Sequence, residues 1–267
     1  MLSSKQRKMK GMEAEPEEIE QQKGQGLTEH LTELRTRIIN SLLGLLVTTA
    51  VAYNYSEELF TIVRMPIAKY LPGGGLVYTA PMDKFMAHFR IAIVFGIVTS
   101  CPFWLYQLWK FVAPGLYSKE KKYATMFIVT GSVLFIGGAV FSYLVALPMA
   151  FDYLFTFGGD IDKPMITIDQ YLDFFSQFCL MFGVAFELPL IMSILGMMGI
   201  VSQRFLIDKG RYAVMILAVI AAVITPPDMM SMIIMLVPLI TLYYVGVLVV
   251  GILEKSRKEK LAQNERE

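Results

Sequence analysis

The sequence predicts an all-α membrane protein with six transmembrane helices, both termini in the cytoplasm and the last two spans short. Hydrophobic residues make up 55% of the 267 residues. They cluster into long runs with few charges, as transmembrane helices require. The basic residues are also divided unevenly between alternate connections, a pattern that sets membrane orientation.

The apolar runs predict spans at residues 38–55, 91–112, 123–151, 170–198, 212–225 and 229–252. The fifth run covers only about 20 Å of helix, which is short of the ~30 Å hydrocarbon core. Residues 1–26 lack an apolar run and predict a disordered cytoplasmic tail. Residues 27–253 then form the six-helix domain, with an extracytoplasmic cap rich in Pro and Gly at 56–84, and residues 254–267 form a second cytoplasmic tail.

Orientation follows from the basic residues. Of the 24 Lys and Arg residues, 19 lie in the N-terminal segment, the 110–122 and 199–211 loops and the C-terminal tail. The remaining five lie in the 56–90 segment and the loop after the third span. Because basic connections stay on the cytoplasmic side, both termini are expected there, in a multi-pass protein of a bacterial inner membrane.

Two acidic residues lie on this basic side. Glu33 belongs to LTEHLTELRTRII at 27–39, four residues before Arg37, and Glu120 is the only acid among the four lysines of the 110–122 loop. An i, i+4 ion pair and charge balance at a helix start would each explain them structurally. Binding of a cationic partner is the alternative.

Two further acids belong to the spans. Glu187 lies within FGVAFELPLIMSILGMM at 182–198, where a charge costs roughly 2.5–3.5 kcal/mol. Pro189 removes the helical donor of the Ala185 carbonyl, so we expect a polar notch that faces away from lipid and lets Glu187 bond this carbonyl. Asp228 follows two prolines at the start of the sixth span, where it complements the helix dipole.

The residues present argue against catalytic, metal-binding and cofactor-binding functions. His30 and His88 are the only histidines and fall outside the middle of any span. Walker, dinucleotide-binding, CxxC and HExxH patterns are lacking. We therefore expect no enzyme activity, cofactor, metal or nucleic-acid partner, and we expect Cys101 and Cys179 to be small buried hydrophobes.

Four segments together resemble the TatC family, the multi-spanning core of the twin-arginine translocase. They are HLTELRTR at 30–37, APGLY at 113–117 with Glu120, FGVAFELPL at 182–190 and TPPD at 225–228. The resemblance implies recognition of twin-arginine signal peptides on folded cargo. It also implies single-span TatA- and TatB-type partners, membrane lipid, homo- and hetero-oligomers, and transport driven by the proton-motive force.

The resemblance also implies roles for individual residues. It assigns signal-peptide binding to Glu33, Glu120, Arg35 and Phe111. It implies that Glu187, Asp228 and Tyr143 form an intramembrane polar site. It also implies structural roles for Pro66 and Pro189. One departure is Met232, after Ser231, where the family often has Gln.

Two other functions fit parts of the pattern. A small proton-coupled secondary transporter would use Glu187 as its protonation site, and it predicts inverted repeats and a pair of broken helices. An assembly scaffold would need neither Glu33 nor Glu120.

Overall fold

The computed structural model describes residues 31–71, 75–112, 124–157, 165–225 and 228–264. In these residues the chain forms helices joined by turns, with one isolated parallel bridge between Val77 and Thr167. The first six helices are α1 (Leu31–Asn54), α2 (Ser56–Ala68), α3 (Pro81–Thr99), α4 (Cys101–Val112), α5 (Ala124–Phe141) and α6 (Leu147–Thr156). A π-helical turn, Ser142–Ala146, joins α5 to α6. The remaining helices are α7 (Ile168–Phe186), α8 (Leu188–Met197), α9 (Gln203–Asp208), α10 (Gly210–Ile224) and α11 (Met229–Asn264).

The described helices confirm an all-α membrane protein. Four segments are long and apolar enough to span a bilayer: Leu31–Asn54, Thr125–Thr156, Ile168–Met197 and Met229–Arg257. The pair α3 and α4, bent by 55°, adds a fifth such segment if the two helices count as one span. The short fifth span of the sequence corresponds to α10, whose 15 residues cover about 22 Å.

Two predicted spans differ from the structure. The last span is not short, because α11 has 36 residues, about 54 Å, and continues to Asn264. The residues after 253 are mostly Glu, Lys, Arg, Ala and Leu, which favour a continuing helix. The predicted span 91–112 is instead two helices, since Pro102 lacks the N–H that would continue the ladder across Ser100.

The centre of the fold is the packing of α5 on α7 and of α8 on α11. Gly138 allows the first contact, because a Cβ there would lie 2.3 Å from the Phe182 carbonyl oxygen. Gly246 allows the second, because a Cβ there would lie 2.6 Å from the Met192 sulfur. Small residues at such crossings let helix backbones approach closely in a membrane.

Helix α1 lies at the edge of this core. Its Thr48 hydroxyl donates to the Gly96 carbonyl of α3 at 3.0 Å. At the same crossing a Cβ on Gly96 would lie 2.3 Å from Thr49 Oγ1. Only 6% of the apolar window of α1 is buried, so most of its surface faces outward.

Candidate functional site

Glu33 lies in the first described turns of α1 and is half-exposed. Its Oε1 accepts a hydrogen bond from Arg37 Nη2 at 3.0 Å, which confirms the predicted i, i+4 pair. The other carboxylate oxygen has no hydrogen-bond partner among the described residues, and the Glu33 side chain is 32% exposed. Within the described residues, Glu33 therefore holds one guanidinium through one oxygen, and its second oxygen has no partner.

The other predicted signal-binding residues lie at the same end of the molecule where the structure describes them. Helix α1 runs antiparallel to α3 and α4, because Thr48 meets Gly96 and Gly44 faces Phe103 further along. Continuing in this register brings the start of α1, with exposed Arg35, to the end where α4 closes with half-buried Phe111. Glu120 lies outside the described residues.

Glu187 forms the turn between α7 and α8 and is only 6% exposed. Its Oε2 would lie 3.2 Å from a Cβ placed on Gly131 of α5, so the carboxyl points into the bundle. The predicted orientation away from lipid is confirmed. The predicted bond to the Ala185 carbonyl is not found among the hydrogen bonds of the described residues, and the Glu187 backbone N–H donates to the Val184 carbonyl at 3.1 Å. Glu187 Oε1 is buried without a partner in the described part of the chain.

The break between α3 and α4 lies near Glu187, which itself forms the break between α7 and α8. Cys101, the buried first residue of α4 after the break at Ser100, lies close to Ser132 of α5 and within electrostatic reach of Glu187. Sequence reasoning missed this pair of breaks, because the run 91–112 reads as one continuous span. Pro102 was the available signal.

Asp228 and Tyr143 do not join Glu187 in one intramembrane polar site. Asp228 Oδ1 accepts from the Ser231 N–H at 2.7 Å and caps α11, 18 residues before Gly246, which packs on α8 beside Pro189. That separation is about 27 Å of helix, and Tyr143 lies about 18 Å along α5 from Gly131. The predicted grouping is wrong because these residues occupy different levels of the bundle.

Tyr143 instead forms a unit with Pro66. Because Pro66 has no N–H, the carbonyl of Ile62, four residues earlier in α2, loses its helical donor. The Tyr143 hydroxyl supplies that donor at 2.9 Å. The Tyr171 hydroxyl of α7 donates to the next carbonyl, that of Val63. Two tyrosines therefore fasten α2 to the core.

The π-helical turn explains how Tyr143 is presented. Pro148 has no N–H and its ring crowds the carbonyl four residues earlier, so a regular α-helix is interrupted just before it. The Leu147 N–H bonds the Ser142 carbonyl, five residues back, in place of a regular i−4 partner. The wider turn places Tyr143 opposite Ile62.

The fold and these sites define a multi-spanning membrane protein with one acid open at the start of its first helix and another buried where two helices break. The family model for "Sec-independent protein translocase protein (TatC)" matches residues 29–238. The TatC protein of Carboxydothermus hydrogenoformans is 38% identical over 224 residues, covering 84% of this chain and 91% of that protein. That of Desulforapulum autotrophicum is 35% identical over 241 residues, 89% of each. The chain belongs to the TatC family.

A solved structure agrees with this assignment. The crystal structure of the twin-arginine translocase receptor TatC superposes with a TM-score of 0.76 at 31% identity, covering 83% of this chain and 97% of that one. The chain is therefore a membrane-embedded twin-arginine translocase subunit and not an enzyme. This assignment replaces the alternative of an independent secondary transporter.

Proposed function

We propose that the chain is the receptor subunit of its translocase and binds the two arginines of a signal peptide with Glu33 and Glu120. The observation that carries this proposal is the Glu33–Arg37 pair, in which a half-exposed carboxylate already holds a guanidinium at 3.0 Å. Its second oxygen is an acceptor of the kind that a further guanidinium binds. An ammonium group has no planar fork and fits such an acceptor less specifically.

The test is binding of a fluorescent twin-arginine peptide, against its twin-lysine analogue, to the protein in lipid nanodiscs. We expect Glu33→Gln and Glu120→Gln each to weaken binding about 3- to 10-fold, as the loss of one charge-assisted hydrogen bond allows. Preference for arginine over lysine should fall in parallel.

Exposed Glu58→Gln is the matched control, since it removes an acid from α2, away from the start of α1. Wild-type affinity in Glu33→Gln, Glu33→Ala and Glu120→Gln together would contradict the assignment of the arginine site.

We propose six spans with both termini in the cytoplasm, with α10 as the short fifth span and the α3–α4 pair as a bent second span. The distribution of basic residues supports this orientation. Cysteines at Gly74 and Gly159 should react with an impermeant maleimide on intact cells. Cysteines at positions 118 and 202 should react only after permeabilisation, and labelling of 118 from outside would reverse the topology.

We further propose that single-span TatA- and TatB-type subunits assemble on this chain, with Glu187 and Asp228 as two separate docking points. Each carries a buried carboxylate oxygen that lacks a partner within the described residues. An unpaired buried acceptor stabilises a complex if a polar group of the partner reaches it. Cross-linking of partner spans to cysteines beside each acid separates the two points.

A further inference from the structure

A cavity of about 600 Å³ lies where the end of α1 meets the starts of α2 and α3. The side chains that matter for its chemistry are Tyr53, Asn54, Glu57, Lys84, Phe85 and His88. It therefore combines a cation, an anion, an imidazole and aromatic rings in one concave site. No role in signal or partner binding has been given to it.

The two charged groups of the cavity form no ion pair with another described residue. The ion pairs among the described residues are Arg37–Glu33, Lys69–Asp152 and Arg90–Asp173. Neither Lys84 nor Glu57 takes part in them, although both line the same cavity. A ligand with one anionic and one cationic group complements such a site.

His88 lines the cavity and is held there by an aromatic contact. Its ring stacks on Phe60 of α2 at 5.4 Å between centroids, which fixes the ring plane. Nδ1 is buried without a partner among the described residues, so a proton there would be an unsatisfied donor. With Nδ1 enclosed, Nε2 is the ring nitrogen left to donate a hydrogen bond to an anionic oxygen.

The depth of the cavity matches the headgroup layer of a bilayer. Arg90 is the last charged residue of α3, and the helix is apolar from Ile91 to Val98. Lys84 lies about 10 Å of helix outside Ile91, a distance comparable to the headgroup region that flanks the hydrocarbon core. Tyr53 and Phe85 are aromatic residues of the kind found at this level.

A separate apolar cavity, called the groove below, lies further along the same face of α3. Phe95 and Val98 follow Lys84 by about three and four helical turns, so they lie below it. They line a cavity of about 190 Å³ between α2, α3, α5 and α7. Charge at the membrane surface with an apolar groove beneath it favours an amphiphile over a free phosphate.

We propose that the cavity binds a phosphatidylethanolamine, with its phosphate at Lys84 and His88, its ammonium at Glu57 and an acyl chain in the groove. A primary ammonium donates hydrogen bonds to a carboxylate, whereas a choline group has no N–H to donate. An anionic headgroup would leave Glu57 repelled. The lipid bridges the end of α1 to α2 and α3, and so supports the helix that carries Glu33 at its other end.

The test uses the full chain, delipidated in detergent, with lipid binding followed by native mass spectrometry and by melting temperature. We expect one phosphatidylethanolamine per chain, bound at least five-fold more tightly than phosphatidylcholine or phosphatidylglycerol of the same chains. Water-soluble glycerophosphoethanolamine should give no stabilisation, because it lacks the acyl chains.

Two variants assign the headgroup contacts. Lys84→Gln should weaken phosphatidylethanolamine binding at least five-fold, and Glu57→Gln should abolish its preference over phosphatidylglycerol. The controls Lys69→Gln and Glu58→Gln change neighbouring charges outside the cavity and should bind as wild type does. Equal binding of all three lipids, unchanged binding in both cavity variants, or stabilisation by glycerophosphoethanolamine would each overturn the proposal.

Discussion

Helix α1 and the segment Ile168–Met197 are both apolar enough to span a bilayer, yet the molecule uses them in opposite ways. Only 6% of the apolar window of α1 is buried, against 50% for Ile168–Met197. The latter packs on α5 and α11 and forms the frame of the bundle. Helix α1 is an arm attached at its crossing with Gly96 of α3.

Each region carries an acid suited to its position. Glu33 on the arm is half-exposed and has one carboxylate oxygen without a partner among the described residues, as the proposed peptide site requires. Glu187 in the frame is buried at a helix break beside Gly131. Of the four long apolar segments, the least buried therefore carries the acid of the proposed receptor site, and the most buried carries the intramembrane acid.

The largest effect is expected from breaking the frame at Gly138. In Gly138→Leu the new side chain meets the backbone of Phe182 and Gly183, which cannot move as a side-chain end can. The loss should exceed the ~1–3 kcal/mol of ordinary overpacking, and folded protein should not be recovered. Gly137→Leu is the control, because a Cβ there has no atom within 4 Å. Size-exclusion profiles in detergent compare the two, and equal profiles would show that the α5–α7 contact is not essential.

A smaller effect is expected from detaching the arm. Gly96→Leu places a side chain 3.0 Å from the Thr49 backbone, so α1 should separate from α3 at a cost of about 1–3 kcal/mol while the frame stays folded. A cysteine pair at Gly44 and Phe103, with Cys101 and Cys179 replaced by Ala, reports the contact as a disulfide.

The disulfide should form in the otherwise unchanged chain and be lost in Gly96→Leu. Global unfolding of Gly96→Leu would mean that α1 belongs to the frame. Retention of the disulfide would mean that the crossing tolerates the larger residue.

Removing the Glu187 carboxyl should raise the stability of the isolated subunit and weaken its assembly with partner subunits. Glu187→Leu removes a buried oxygen without a described partner, so the isolated subunit should gain about 1–3 kcal/mol in its free energy of unfolding. Assembly with partner subunits and export should fall. Glu187→Gln keeps hydrogen-bonding capacity and should retain much of both.

Melting temperature, partner cross-linking and export are measured for the three proteins in one background. Wild-type export in Glu187→Leu would show that the Glu187 carboxyl is not required for export. Equal loss in Glu187→Gln and Glu187→Leu would indicate that proton transfer at Glu187 is required.

The sequence predicted the fold class because hydropathy and charge distribution are properties of the chain itself. It also predicted the Glu33–Arg37 pair, which follows from spacing within one helix. It could not predict how helices meet. The reach of Tyr143 to the carbonyl freed by Pro66 depends on a π-helical turn that hydropathy does not signal.

The grouping of Glu187, Asp228 and Tyr143 failed for a related reason. Each residue was recognised by its own motif, and a motif carries no information on depth in the bundle. Their separation along α5 and α11 became evident only from the contacts of Gly131 and Gly246. The end of the last span was misjudged because its continuation consists of charged residues that also favour a helix.

The smallest effect is expected at Lys69, where α2 ends. Lys69 Nζ contacts Asp152 Oδ1 at 3.0 Å in an exposed pair, and exposed pairs contribute little. Hydrogen bonds with Tyr70 and with Asp152 hold the pKa of Lys69 above its ordinary value of 10.5. A raised pKa of a cationic group means that its stabilisation is complete below 10.5 and is lost as the pH rises through the folded-state pKa.

Lys69→Met should therefore melt at a slightly lower temperature than wild type at pH 8, and this difference in melting temperature should close above the folded-state pKa of Lys69. Because Tyr70 also contacts Lys69, the Tyr70→Phe background is measured beside the native one, and the gap for Lys69→Met should close with pH in both. Arg64→Met changes an exposed cation of α2 without a described ion pair and should show no pH-dependent gap. A gap for Lys69→Met that persists unchanged at high pH would attribute it to packing of the lysine stem and not to its charge.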